Sequence, residues 1–335
     1  MDPISQGTIG AVVPQAAFTA AKMRAAAFLG CLAGMAPDLD VFINSPTDPL
    51  LFLEYHRQFT HALVFIPVGA AIATLLLHWT VRRTLDLRES YLACLLGYAT
   101  HGFLDACTSY GTQLFWPFTD YRVAWNNVAV VDPSFTVPLL LLVIVAAVRR
   151  RRAYAVAALI WALAYLGLGV VQNQRAEAAG ERLAASRGHE PQRLTAKASF
   201  ANLLVWKVVY EYGGRFYVDG VRTGAGVSIC PGTSVARLDL SRDLPWLDPY
   251  TEQARDVERF RWFSDGYVAL DPAVPNRVID MRYSLVPNEI DPLWGIDLDP
   301  EAPVDRHVRF VTDRAAGAAE RDALWGLLTG ATCGS

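Results

Sequence analysis

The sequence lacks the features that would tie it to nucleic acid, to a zinc finger or to export as a cleaved precursor. Its formal net charge is −3, with 30 Lys and Arg against 33 Asp and Glu. No basic surplus is available to neutralise phosphates, so a nucleic-acid partner is not expected. The five cysteines, Cys31, Cys94, Cys107, Cys230 and Cys333, form no Cys-x-x-Cys pair and no Cys/His finger spacing. Cys230 and Cys333 both fall late in the chain, and spacing alone does not decide whether they pair. No lysine or arginine precedes Lys22, so the opening Met1-Asp2 supplies no n-region for a signal peptide. Internal repeats and low-complexity tracts are also missing. Charged residues make up 19% of the chain against 53% hydrophobic, and that scarcity is unevenly spread.

Six stretches before residue 172 contain no Asp, Glu, Lys or Arg: 3–21, 25–37, 62–80, 90–104, 134–148 and 153–171. A helix that crosses a bilayer needs about 20 residues, so the shorter stretches are marginal singly and persuasive together. Residues 137–148 and 153–171 have no polar face to turn to water, which argues against a bundle of soluble helices. The first two stretches are short enough to form a re-entrant hairpin instead of two full spans. Lys22 and Arg24, then Arg82, Arg83 and Arg88, then Arg149 to Arg152 sit in alternate connections. By the positive-inside rule these three connections are cytoplasmic, and the rest, with everything after residue 171, lies outside. The predicted fold class is mainly α: a polytopic helical membrane domain over 1–175, then an extracytoplasmic α+β domain over 176–335.

In the C-terminal part a charged, helical connector is expected to about residue 198. Strands follow at 202–212, 215–221, 277–285, 293–298 and 307–312, with helices at 256–263 and 315–328. Tyr212-Gly213-Gly214-Arg215 is a hairpin signal. These elements read as a small antiparallel sheet without a catalytic constellation. His189 and His307 read as surface residues.

The ionisable residues of the apolar part gather at helix ends on one side. Asp38 and Asp40 follow the second stretch, while His56, Arg57 and His61 precede the third. His101 and Asp105 close the fourth, and Asp132 precedes the fifth. All map to the extracytoplasmic end, although none was used to orient the chain. His101 and Asp105 are four apart, hence on one helix face and able to share a metal ion. Asp38 and Asp40 flank one residue, so in an extended segment both would point the same way. His61 is expected in the first turn of the next helix, with His56 in the loop before it. Such groups at membrane depth are costly unless paired or metal-bound. Carboxylates with imidazoles suit zinc, or else manganese or iron, better than a thiolate metal.

Three motifs carry a resemblance. Pro37-Asp38-Leu39-Asp40, His56-Arg57-x-x-Thr60-His61 and Gly97-x-x-x-His101-x-x-x-Asp105-x-x-Thr108-x-x-Gly111 together resemble the YdjM-like family. The opening Met1-Asp2-Pro3-x-Ser5-Gln6-Gly7 and the later Asp132-Pro133 are similar to that family as well, so the likeness covers roughly residues 1–140. It is also loosely similar to zinc-dependent phospholipase C sequences, through the Pro-Asp and Gly-x-x-x-His-x-x-x-Asp elements. The resemblance implies a metal-dependent hydrolase of the inner membrane. It brings forward Asp2, Gln6, Thr60, Thr108 and Asp132 as side chains that support the ligands. Gln6 stands where the family commonly has His, which either removes a metal ligand or replaces it with a hydrogen-bonding group.

The expected ligands are therefore Asp38, Asp40, His61, His101 and Asp105, with His56 as ligand or general base. Arg57 would hold an anionic group such as a phosphate. A site at the outer interface suits a small-molecule or lipid-like phosphoester. The rival class is a non-enzymatic membrane protein, a transporter or a metal-sensing regulator. Nothing in the sequence sets an oligomeric state.

Overall fold

The structure is a computed structural model that describes residues 1–315, 317–331 and 333. It divides into two compact units. The first comprises Met1–Ile43, Tyr55–Val170 and Phe200–Asn202; the second comprises Asn44–Glu54, Val171–Ser199 and Leu203–Ser335.

Helices build the first unit. Helix α1 is Pro3–Ala17, and its first turn is closed by the Asp2 carboxylate, which accepts from the backbone N–H groups of Ile4 and Ser5. Helix α2, Met23–Met35, runs into a tight 3-10 turn over Ala36–Phe42. Helix α3, Leu51–Tyr55, lies in the excursion that follows. Helices α4, Ile66–Val81, α5, Leu87–Ala106, and α6, Pro133–Arg149, come next. An Asp86/Glu89 capping box starts α5. Helix α7 is one continuous element, Arg152–Ser186. Among the described residues, the helical stretches Met23–Phe42, Leu63–Val81 and Arg152–Ser186 are long and apolar enough to cross a membrane, and α6 is apolar but shorter. Their outward faces carry apolar side chains: Leu75 is 77% exposed, Trp79 70%, Leu141 57% and Leu163 64%. Lipid, not water, is the medium that such faces fit.

Glycine lets α1, α2 and α5 approach closely. A Cβ on Gly30 would come within 2.3 Å of the Gly10 carbonyl oxygen, and one on Gly97 within 2.3 Å of the Gly30 oxygen. Small residues at such crossings allow backbones to pack in van der Waals contact. Here the crossing lies one helical turn from His101.

The second unit holds two antiparallel sheets. The first has the order β1–β2–β3–β4, with β1 Arg193–Ala198, β2 Val205–Tyr212, β3 Arg215–Thr223 and β4 Val227–Ala236. Helices α8, Leu240–Asp243, and α9, Glu252–Phe263, lead to the second sheet. That sheet is β5 Val268–Leu270, β6 Arg277–Asp280, β7 Trp294–Asp297 and β8 Arg309–Thr312, in sequence order. Helix α10, Ala318–Thr329, follows. Val209, Phe216 and Val218 of the first sheet pack on Tyr267, Ile279 and Met281 around the second. The predicted hairpin is present: Tyr212 pairs with Arg215, and Gly213 and Gly214 take φ of 59° and 72°, as a two-residue turn of this hand requires. Cys230 and Cys333 form a disulfide.

Several expectations give way. The single small sheet expected is two four-stranded sheets, with β4 and β5 unforeseen. The charged connector is helical only to Ser186 and then becomes strand β1. Within that strand Lys197 is buried and lies opposite Lys207 of β2. His189 and His307, both read as surface residues, are half-buried and bonded: His307 Nδ1 lies 2.9 Å from Asp256 Oδ2 and His189 Nδ1 2.9 Å from the Tyr210 hydroxyl oxygen.

A candidate metal centre

Asp38, His61, His101 and Asp105 each present one donor atom, and these four atoms all lie within 4.8 Å of one another. Three elements deliver them. Helix α5 places His101 and Asp105 one turn apart, with His101 Nε2 3.4 Å from Asp105 Oδ2. The turn after α2 supplies Asp38, whose Oδ1 is 3.4 Å from His101 Nε2 and 3.6 Å from His61 Nε2. A short 3-10 turn, Phe59–His61, supplies His61 ahead of α4, whose first turn it was expected to occupy. Its Nε2 is 3.0 Å from Asp105 Oδ2 and 2.8 Å from His101 Nε2.

Hydrogen bonds on the far side of each ring fix its tautomer. His101 Nδ1 is 2.6 Å from the Gly34 carbonyl oxygen, which can only accept. Thr60 gives its hydroxyl proton to Asp40 Oδ2 at 2.9 Å, so its oxygen receives from His61 Nδ1 at 3.0 Å. Asp40 Oδ2 itself lies 3.3 Å from the same Nδ1. Each ring therefore has its Nδ1 proton committed on the far side, and the two Nε2 atoms face each other and two carboxylates. Asp105 Oδ2 is buried and has no hydrogen-bond partner among the described residues. Four candidate ligand atoms meet here, with Arg57 Nε beside Asp105 Oδ2 at 3.2 Å. A tetrahedral ion with bonds of about 2.0–2.2 Å needs ligands about 3.3–3.6 Å apart, close to the separations here. The donor set thus fits a divalent transition metal.

Around this group the other expected residues divide. Asp38 and Asp40 do not point the same way, because Pro37 opens a helical turn where an extended segment was expected. Asp40 faces outward from the four-donor group: its Oδ1 is 2.7 Å from His56 Nδ1, and its Oδ2 accepts from the Arg57 N–H at 2.9 Å. Asp38, Asp40 and His56 nevertheless form a second set of donors within 4.8 Å of one another. Arg57 takes φ of 65° and is buried, with Nε 3.2 Å from Asp105 Oδ2 and Nη1 donating to Thr108 Oγ1 at 2.9 Å. The Tyr110 ring lies 4.7 Å beneath its guanidinium. Gln6 donates to Asp105 Oδ1 at 2.9 Å, and its own Oε1 is buried without a hydrogen-bond partner among the described residues. The Met1 amino group also contacts Asp105. Asp2 and Asp132 stand apart from the cluster as the caps of α1 and α6, and Asp132 also receives the Tyr165 hydroxyl at 2.8 Å.

The side chains of His61, His101 and Asp105 are fully enclosed, whereas those of Asp38 and His56 are 23% and 19% exposed. The centre therefore opens on the Asp38–His56 side. Burial pushes the His56 imidazole below its ordinary pKa, against the opposing pull of Asp40. Leu39 and Phe42, 62% and 74% exposed, flank the same turn as Asp38. Sequence reasoning missed two participants. The Gly34 carbonyl is a backbone atom with no sequence signature, and the only signal for Tyr110 was its place beside Gly111.

A family model described as YdjM inner membrane protein matches residues 1–176. Over 112 residues the chain is 30% identical to the uncharacterized protein YfhP of Bacillus subtilis (strain 168), a match that covers 33% of this chain and 34% of that protein. The shared part is thus about a third of the relative's length. No solved structure matches the chain.

Proposed function

This chain belongs to the YdjM inner membrane protein family, and from that premise we propose that it is a membrane-bound, metal-dependent hydrolase. The observation that carries the reading is the pair of Nε2 atoms, 2.8 Å apart, converging with two carboxylate oxygens. Asp38, His61, His101 and Asp105 would hold the ion, zinc in preference to manganese or iron. Such an ion supplies Lewis acidity and lowers the pKa of a bound water.

The protein's own side chains do the rest. Asp40 orients His61 through Thr60 and grips His56 directly, so one carboxylate aligns a ligand and a proton carrier. His56, partly exposed and held at Nδ1, keeps Nε2 available to take or return a proton at the open side. The contacts of Arg57 with Asp105 and Thr108 favour a role in holding Asp105 over one in gripping an anionic substrate. Leu39 and Phe42 give the opening an apolar lip, which suits a lipid-derived or amphiphilic phosphoester.

The arginine-bearing connections support a reading in which this opening and residues 176–335 lie outside the cytoplasm. The Cys230–Cys333 disulfide supports that side, since such bonds persist in oxidising compartments. The test is turnover of a panel of chromogenic phosphoesters and lipid esters by zinc-loaded protein in detergent. Wild type should hydrolyse a member of the panel, and His56→Ala should lose about 10²–10⁴-fold in rate while keeping its metal. Equal rates in wild type and His56→Ala would remove His56 from the chemistry, and no turnover of the panel would count against the hydrolase.

A further inference from the structure

The chain between α5 and α6 doubles back on itself before it reaches Asp132. Thr112 and Val123 pair antiparallel through their backbone groups, at 2.9 and 2.8 Å, and close a loop over residues 113–122. Inside it the Trp116 N–H donates to the Gln113 carbonyl at 3.2 Å and the Phe118 N–H to the Phe115 carbonyl at 2.9 Å, so the tip is built of its own turns. The neck is fastened to the neighbouring ligand motif. Gln113 donates its N–H to the Arg57 carbonyl at 2.9 Å, and Arg122 Nη2 reaches the His56 carbonyl at 3.4 Å. The Trp116 ring meets that of Phe59 at 6.1 Å. All of these residues belong to the first unit.

The tip is apolar and turned outward. Phe118 is 85% exposed, and Phe115, Tyr121 and, just past the neck, Trp125 are exposed as well. Exposed aromatic rings gathered in one short segment mark a surface that meets something other than water. A hydrogen bond fixes the level at which they sit. The Leu63 N–H donates to the Leu114 carbonyl at 2.9 Å, and Leu63 is the first residue of Leu63–Val81, a stretch long and apolar enough to cross a membrane. Leu63 also packs with Ala106, Leu114 and Val123. Phe115 follows Leu114, so the aromatic tip begins where that span begins. Val64 and Val68, in the first turns of the same span, are exposed too. Asp120 is exposed on the tip, and a carboxylate is costly deep in hydrocarbon. Rings that share a loop with one carboxylate suit the headgroup level of a bilayer, where amphipathic aromatic residues collect.

We propose that residues 113–122 form an interfacial loop whose rings at Phe115, Phe118 and Tyr121 lie among the lipid headgroups beside the start of the Leu63–Val81 span. The occupant of this apolar surface is the bilayer that the spans cross, not a separate protein. Because the neck is bonded to His56, Arg57 and Leu63, lipid contact at the tip also sets the depth of the His56–His61 motif in the membrane. This seat follows from the spans and is independent of any bound metal.

Depth-dependent quenching tests it. Full-length protein carrying Cys31→Ala, Cys94→Ala and Cys107→Ala, with the Cys230–Cys333 disulfide kept, receives one new cysteine labelled with the fluorophore NBD. It is reconstituted into phosphatidylcholine–phosphatidylglycerol vesicles that contain lipid with a nitroxide either near the headgroup or near the acyl terminus. A label at Phe118→Cys should emit to the blue of NBD in water and be quenched more by the shallow nitroxide than by the deep one. Phe115→Cys should do the same and serves if the first variant folds poorly. Leu75 is exposed and lies roughly 18 Å along the span from Leu63 at a rise of about 1.5 Å per residue, near the middle of a hydrocarbon layer about 30 Å thick. A label at Leu75→Cys should therefore show the reverse order of quenching. Water-like emission without quenching at both loop positions would overturn the proposal, as would the Leu75→Cys pattern at either of them. Disulfide-linked dimers of unlabelled Phe118→Cys in the vesicles, without lipid quenching, would assign the surface to a second copy and overturn it as well. Absence of quenching at Leu75→Cys would instead overturn the span.

Discussion

The Nε2 atoms of His61 and His101 face each other across 2.8 Å, and each ring has its Nδ1 committed to an oxygen on the opposite side. Two neutral imidazoles cannot satisfy each other in that arrangement: a metal ion would resolve it, and without one, against the pull of burial, the carboxylates around His61 raise its pKa and favour a proton there. The Gly34 carbonyl and the Thr60–Asp40 pair, which set the tautomers, are therefore as much a part of the centre as the rings.

Asp40→Asn tests that support. Asparagine keeps the shape but gives up the charge that draws Thr60, His61 and His56 into line. Zinc affinity should fall about 10- to 100-fold while excess zinc still fills the site. Unchanged affinity, measured by chelator competition, would show that Asp40 orients nothing.

Gly97→Ala tests the helix crossing. The added Cβ would come within 2.3 Å of the Gly30 oxygen, so α2 and α5 must separate. Overpacking of this kind costs about 1–3 kcal/mol, and here it should also weaken zinc binding, because His101 lies one turn along. Gly167→Ala is the control, since a Cβ there meets nothing within 4 Å. Detergent melting curves and zinc affinity should change for the first variant and not for the second.

How much of this centre the sequence disclosed depended on how local each relationship was. His101 and Asp105 were legible because helical spacing alone puts them on one face. Asp38 and Asp40 were legible as residues but not as a pair of directions, since the 3-10 turn after Pro37 sends one to His101 and the other to His56. The partnership of Asp256 with His307 joins residues 51 apart and left no trace in either neighbourhood. Strand β1 was hidden for a related reason: a lysine in a short alternating segment signals solvent, unless the opposite strand and a second sheet bury it.

That buried lysine gives a pH dependence. Lys197 and Lys207 are paired across β1 and β2, and burial pushes each ammonium pKa down to about 7. Below about pH 7 folded and unfolded chains are both charged, and the full penalty of burying the charges is present. Between about pH 7 and 10.5 the unfolded chain binds protons that the folded one does not, so stability rises with pH. The double variant Lys197→Met, Lys207→Met should melt above wild type at about pH 6, with the gap narrowing by about pH 9. A gap that stays constant with pH would contradict the assignment.

The orientation has its own test. If the arginine connections are cytoplasmic, as proposed, an alkaline phosphatase fused after Gln172 should be active and a green fluorescent protein at the same point dark. The opposite pattern would invert the topology. On a non-reducing gel the full chain should also migrate faster than its reduced form, as closure by Cys230–Cys333 requires.

The most direct measurement is the metal content of the purified protein in detergent, for wild type and His101→Ala side by side. The ligand set predicts at least one equivalent of a divalent transition metal in wild type. It predicts loss of that metal in His101→Ala, with both proteins recovered from the membrane in similar amounts. A wild type that stays metal-free when zinc is supplied, or a His101→Ala protein that retains as much metal as wild type, would contradict the central claim.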